Sequence, residues 1–239
     1  MWGVTDVALE QEHATADPGG RTGSVEALYP FLYAAGNTGL DSVLSDIRHS
    51  TVRKVHEIVE LRQKVLDRER DRLLLCAREM AARFAEGGRL LAFGNGGSAT
   101  DAQDLASLFL SPARARALPA FALTNDIAVV TALSNDVGFE VVFARQIDAI
   151  GRPGDIAVGL STSGNSANLV RAFDEAAKSR LLTVGIAGYD GGRMSEVDSI
   201  DHLFVVPSSS VHRVQEAQTT LYHVLWELTV TALGDAAVT

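Results

Sequence analysis

Twice in this chain a short apolar run turns through a loop of Gly, Ser and Asn into a helical pattern. The first loop is Gly94-Asn95-Gly96-Gly97-Ser98, and the second is Ser161-Thr162-Ser163-Gly164-Asn165-Ser166. Neither contains Lys or Arg. A strand that turns through glycines into a helix aims free backbone N–H groups and the positive end of the helix dipole at one spot. Ser and Thr hydroxyls add donors there, so each loop reads as a phosphate cradle. Two in one chain point to a ligand phosphorylated at one end and polar along the rest.

The runs around them fix the fold class. Arg89–Phe93, Pro119–Thr124, Asp155–Leu160, Leu182–Ala187 and His202–Val206 read as strands. Ala99–Leu110, Ile127–Leu133, Phe139–Ile150, Ala167–Ser179 and Val211–Leu233 read as helices. Strands alternating with helices of this length imply an α/β fold, a parallel sheet covered on both faces. Pro153-Gly154 and Pro207 punctuate strand ends. In open parallel sheets ligands bind at the carboxyl ends of the strands, where both loops lie.

Upstream, residues 1–23 read as a flexible tail, with Asp17-Pro18-Gly19-Gly20 as a breaker. Residues 24–50 read as a helical extension that includes a short helix over Ser24–Ala35 and a turn at Gly36-Asn37-Thr38-Gly39. Apolar residues then recur at steps of three and four from Leu40 to Val65, and a further helix over Arg70–Ala85 stops at Gly87-Gly88. Leu28-Tyr29-Pro30-Phe31-Leu32-Tyr33 is too apolar for a solvated tail and reads as packing on its own domain or on a second copy.

With 239 residues, 46% of them hydrophobic, the chain has material for one large domain and its appendage. A net charge of −9 argues against a nucleic-acid surface, which needs a basic face. The single cysteine, Cys76, excludes an internal disulfide and reads as a core thiol. No stretch approaches the roughly 20 apolar residues of a membrane span. The first twenty residues carry Asp6, Glu10, Glu12 and Asp17 without a basic-then-apolar leader pattern, so a cytoplasmic location is expected.

Neither loop is a dinucleotide fingerprint or a P-loop. Together with Ser134-Asn135-Asp136, Gly188-Tyr189-Asp190-Gly191-Gly192 and His212-Arg213-Val214-Gln215-Glu216, in that order, they resemble the sugar isomerase (SIS) domain. The resemblance is to its branch of phosphoheptose isomerases and DnaA initiator-associating proteins. It covers residues from about 51 to 233, making 51–239 the SIS domain. It implies a three-layer sandwich, a homo-oligomer with sites between subunits, and a phosphorylated sugar as ligand. By position, Asn95, Gly96, Gly97 and Ser98 would meet the sugar, and Asn135 and Asp136 its hydroxyls. Ser161, Thr162, Ser163 and Ser166 would hold the phosphate, and Gln215 would reach in from the closing helix.

The same resemblance implies a zinc-binding cluster: a His and a Glu four residues apart after the first loop, then a Gln and a His eight apart on the last helix. Gln215 and His223 stand at the second pair of positions; Asp104 and Leu108 stand at the first. Carboxylate oxygen is acceptable to zinc, so Asp104, Gln215 and His223 are the candidate ligands. Leu108 neither takes a proton nor binds a metal. Three readings stay open. In one, the site is relocated to Asp104, His212, Gln215 and His223. In the second, the chain is a non-catalytic phosphosugar regulator or protein adaptor. In the third, it is an isomerase of the sedoheptulose 7-phosphate type on another sugar, with Glu216 or a neighbouring subunit's residue as base. The candidate catalytic set is thus His223, Asp104 and Glu216.

Overall fold

The computed structural model describes residues 37–112 and 115–236; the tail and the Ser24–Ala35 helix expected upstream lie outside them. The chain divides into a first unit, Met1–Val52, and a second, Arg53–Thr239, which holds the sheet and the site. The described part of the first unit is helical.

Helix α1 runs unbroken over Asn37–Ala85. This corrects two expectations, a turn over residues 36–39 and a break between two helices near residue 66. No Gly or Pro interrupts Leu66-Asp67-Arg68-Glu69. Gln63 donates to Asp67 at 2.8 Å and Arg72 to the buried Glu69 at 2.6 Å, so local pairs carry the helix through the expected break. Gly39 costs the helix only about 1 kcal/mol relative to Ala.

Beyond α1 the elements alternate. They are β1 (Leu90–Gly94), α2 (Gly97–Leu110), β2 (Ala120–Ala122), α3 (Ile127–Asp136), α4 (Val142–Ile150), β3 (Ile156–Ser161), α5 (Ala167–Lys178), β4 (Leu182–Gly188), β5 (His202–Val206) and α6 (Val211–Ala236). A 3-10 turn over Phe139–Val141 precedes α4, where one continuous helix was expected. All four strand pairings are parallel, in the order β2-β1-β3-β4-β5. β1, β3 and β4 are buried along their whole length and so read as continuous apolar runs, while the edge strands β2 and β5 alternate in burial.

One face of the sheet packs on α1, α2 and α6 through Leu73, Met80, Phe109, Phe204 and Leu225. The other packs on α4 and α5 through Phe93, Phe143, Ile147 and Phe173, with Phe93 tilted against both other rings at 5.5 and 5.2 Å. Cys76 is a fully buried core thiol, and burial with the nearby Glu79 charge pushes its pKa well up. At the amino ends of the strands, the buried Asp155 accepts from the Arg89 backbone and guanidinium and from Arg152 N, closing the end away from the loops.

Candidate functional site

The strand order reverses direction between β1 and β3, which makes the crevice beyond their carboxyl ends the place where such sheets bind ligands. Gly94 pairs with Leu160 in the register, so the two loops leave the sheet side by side. Helices α2 and α5 both start there, and neither N-cap, Gly96 or Ser166, uses a side chain to satisfy the first-turn N–H groups. Ser98 N and Ala99 N turn back onto Asn95 O and Gly96 O, and Leu169 N onto Ser166 O, so it is the two dipole ends and the N–H groups of Gly97, Ala167 and Asn168 that converge on one crevice.

The loops are tied together from below. Asn95 and the buried Asn168 exchange two side-chain hydrogen bonds, both 2.9 Å, linking the first loop to the first turn of α5. In the second loop, Ser161 Oγ accepts from Gly164 N at 3.0 Å and Ser163 Oγ from Asn165 N at 3.2 Å. Asn165 Oδ1 accepts from Arg193 N and Gly164 O from Met194 N, which locks this loop onto the turn following β4. Gly164 has φ +68, and an added Cβ would run into the Gly191 backbone; no other residue fits. Gly191 and Gly192 are turn residues with positive φ. Beneath the loop, the fully buried Gln218 donates to Ser161 O at 2.9 Å and to Ile186 O at 3.2 Å.

A polar cluster stands beside the glycine loop where α2 meets α6. A Cβ on Gly97 would strike Gln215 Nε2, so the glycine is what lets Gln215 approach. Asp101 Oδ2 is buried without a partner. Burial first, then the charge of Asp104, push the Asp101 carboxyl up to about 6, and the nearby Gln215 amide pulls it part of the way back. One turn on, Asp104 Oδ2 accepts from the Tyr222 hydroxyl at 2.7 Å and lies 3.6 Å from His223 Nε2. The Tyr222 and His223 rings stack at 5.2 Å. Burial and the bond to Asp104 push the Tyr222 pKa well up, keeping it a proton donor.

The structure thus brings together Asn95–Ser98, Ser161–Ser166, Asp104, Gln215 and His223. It turns Glu216 away. Glu216 pairs with Arg213 in a separate cleft of about 590 Å³ that Arg53, Lys54 and His212 also line. Residue 216 lies about 100° round the helix from 215, so when 215, 219 and 223 face α2 it cannot. Glu216 is therefore turned away from the other two members of the expected catalytic set, and His212, which belonged to the relocated-site reading, lines the same separate cleft. Asn135 and Asp136 bond to each other at 2.8 Å, and no hydrogen bond among the described residues ties them to either loop. Asn168, Asp101, Tyr222 and Gln218 were missed. The short spacing from Asp101 to Asp104 was the one signal in the sequence.

The zinc set is short of a donor. Of its four positions, Asp104, Gln215 and His223 carry donor atoms, Gln215 through its amide alone, while Leu108 brings none and packs against the core. Among the described residues no three His, Cys, Asp or Glu side chains are grouped to hold a metal ion.

A family model described as the SIS domain matches residues 55–188. The phosphoheptose isomerase of Roseiflexus sp. (strain RS-1) is 41% identical over 177 residues, covering 73% of this chain and 89% of that protein. That of Chlorobaculum tepidum is 43% identical over 179 residues, covering 73% and 85%. Among solved structures, the phosphoheptose isomerase of Neisseria gonorrhoeae superposes with a TM-score of 0.70 at 34% identity, covering 77% of this chain and 99% of that one.

Proposed function

The chain belongs to the SIS domain family, and from that premise we propose that it is an aldose–ketose isomerase acting on a sugar phosphate of the sedoheptulose 7-phosphate type. Ser161, Thr162, Ser163 and Ser166, with the first-turn amides of α5, hold the phosphate. Asn95, Gly96, Gly97 and Ser98 hold the sugar, and Gln215 closes over it. The observation that carries the reading is the pair of uncapped helix N-termini converging at the sheet's switch point. It is a site for a dianion with a polar chain attached.

Isomerisation moves a proton from the hydroxyl-bearing carbon to its carbonyl neighbour, while a second proton passes between their oxygens. His223 is suited to carry the first, because Asp104 stabilises the imidazolium that forms. A homo-oligomer is part of this proposal, as is a cytoplasmic location, where free sugar phosphates are found. No helix among the described residues is long and apolar enough to cross a membrane.

Leu108 favours a second reading, a phosphosugar-binding regulator or adaptor without turnover, because it leaves an apolar side chain where relatives of this kind are expected to place a base. One experiment separates the two. Purified protein is incubated with a panel of ketose and aldose phosphates, followed by NMR for product and by thermal denaturation for binding. The isomerase reading expects product. The regulator reading expects stabilisation alone, about 2.7 kcal/mol at a hundredfold excess over Kd. Neither product nor stabilisation sinks both, and a shift that persists in Ser161→Ala/Ser163→Ala sinks the phosphate assignment.

A further inference from the structure

Four positions decide whether a metal can sit between α2 and α6, and each points the same way. Leu108 contributes no donor and is partly buried against the core. Gln215 is drawn toward Gly97 and Asp101. Asp104 presents one oxygen, Oδ2, to His223, and that oxygen already accepts the Tyr222 proton at 2.7 Å. His223 is held on two sides, by the stacked Tyr222 ring at 5.2 Å and by Asp104 at 3.6 Å. Tyr222 is buried, so its hydroxyl has little freedom to turn elsewhere.

We infer that this site works without a metal, and that a Tyr222–Asp104–His223 array stands in the place a zinc centre would occupy. The hydroxyl fixes the carboxylate, and the carboxylate together with the stacked ring fixes the imidazole. Both polar ends remain reachable from the crevice, since the side chains of Asp104 and His223 are 52% and 42% exposed. Orientation and charge stabilisation, the services a metal renders a neighbouring base, come here from protein groups alone. The inference rests on the phosphosugar reading for its purpose but not for its test.

Zinc content decides it. The full chain is loaded with excess zinc, passed through size exclusion, and analysed for metal beside three variants: Leu108→Glu, Asp104→His/Leu108→Glu and His223→Ala. Wild type is expected to retain at least roughly tenfold less zinc than the double variant, which regains a three-ligand set and takes about one zinc per chain. Should the double variant fail to fold, Leu108→Glu adds a third ligand of the kind zinc takes beside Asp104 and His223 and is expected to exceed wild type. One zinc per wild-type chain that disappears in His223→Ala overturns the inference. Zinc that persists in His223→Ala lies elsewhere and leaves it standing. The phosphosugar thermal shift, repeated after exhaustive chelation, is expected to be unchanged; its loss on chelation also overturns the inference. If no phosphosugar shifts the protein with or without chelator, the phosphosugar reading falls, while zinc content still decides the metal.

Discussion

Asp101 carries the most disturbed carboxyl in the site, and its environment makes a prediction with a definite sign. Burial and Asp104 raise its pKa from 3.8 to about 6. Between those values the folded chain holds a proton that the unfolded chain gives up, so this group's contribution to stability falls as pH rises through the window and stays lower above it. Asp101→Asn cannot ionise. Above about pH 6 the variant is expected to melt higher than wild type, and near about pH 4, where the wild-type group is protonated, the two melting temperatures are expected to converge. Thermal denaturation at both ends checks this; an equal gap at both would show that ionisation is not the cause. Asn168 tests the neighbouring contact. In Asn168→Leu, Asn95 keeps its amide but loses both partner bonds, at a cost of about 1–3 kcal/mol in urea denaturation. The phosphosugar thermal shift is expected to shrink as well, because the first loop loses its tie to α5.

Between elements, the join that matters most is the one Gln218 makes. Its amide reaches from α6 to the carbonyls of Ser161 on β3 and Ile186 on β4, which are register neighbours' ends at the site. Gln218→Leu fills similar space and removes both bonds together with the buried, unpartnered Oε1, so a net loss of about 1 kcal/mol is expected in urea denaturation. Because Ser161 opens the second loop, which the proposed function assigns to the phosphate, Ser161→Ala should then add less to the loss of phosphosugar stabilisation than it does in wild type. Full additivity in that double-mutant cycle would show the two residues to be independent. Contacts of this kind explain what the sequence does and does not disclose. Strands and loops are legible because Leu90–Gly94 and Ile156–Ser161 are continuous apolar runs ended by Gly and Ser, a local signal. The unbroken α1 is not, because its apolar repeat wavers near Leu66 and local side-chain pairs, Gln63–Asp67 and Arg72–Glu69, bridge the gap. Gln218 and Asn168 are invisible for a different reason. Their partners lie 57 and 73 residues away, and only the folded sheet brings them together. Glu216 shows the converse. Its neighbour Gln215 faces the site, and one step round the helix sends it into another cleft.

At the scale of the molecule, α3 is only half housed: Val130 and Leu133 pack against the core of α4 and α5, and its other face is open. Ile127–Asp136 is rich in Val, Ile, Ala and Leu, yet none of its residues is buried. Ile127 is 69% exposed, and Val137 and Phe139 just beyond are 51% exposed each. Val129, Leu133, Val137 and Ile150 line an open apolar hollow of about 790 Å³. A monomer seldom leaves so much contiguous apolar surface to water, and a stable partner covers on the order of 800 Å² per side. A second copy of this chain is the occupant the proposed homo-oligomer supplies. Wild type is therefore expected to sediment as a dimer or larger species, and Ile127→Asp/Phe139→Asp as a smaller one. Both positions are exposed, so far-ultraviolet circular dichroism should stay unchanged, which separates dissociation from unfolding. The same α3 ends in Asn135 and Asp136, which the resemblance assigns to sugar hydroxyls and which are bonded to each other rather than to either loop of their own chain. If their place is against a neighbour's crevice, the dissociated variant loses phosphosugar stabilisation although every loop residue is intact. A dissociated variant that still binds with wild-type affinity would show that each crevice is complete within one chain.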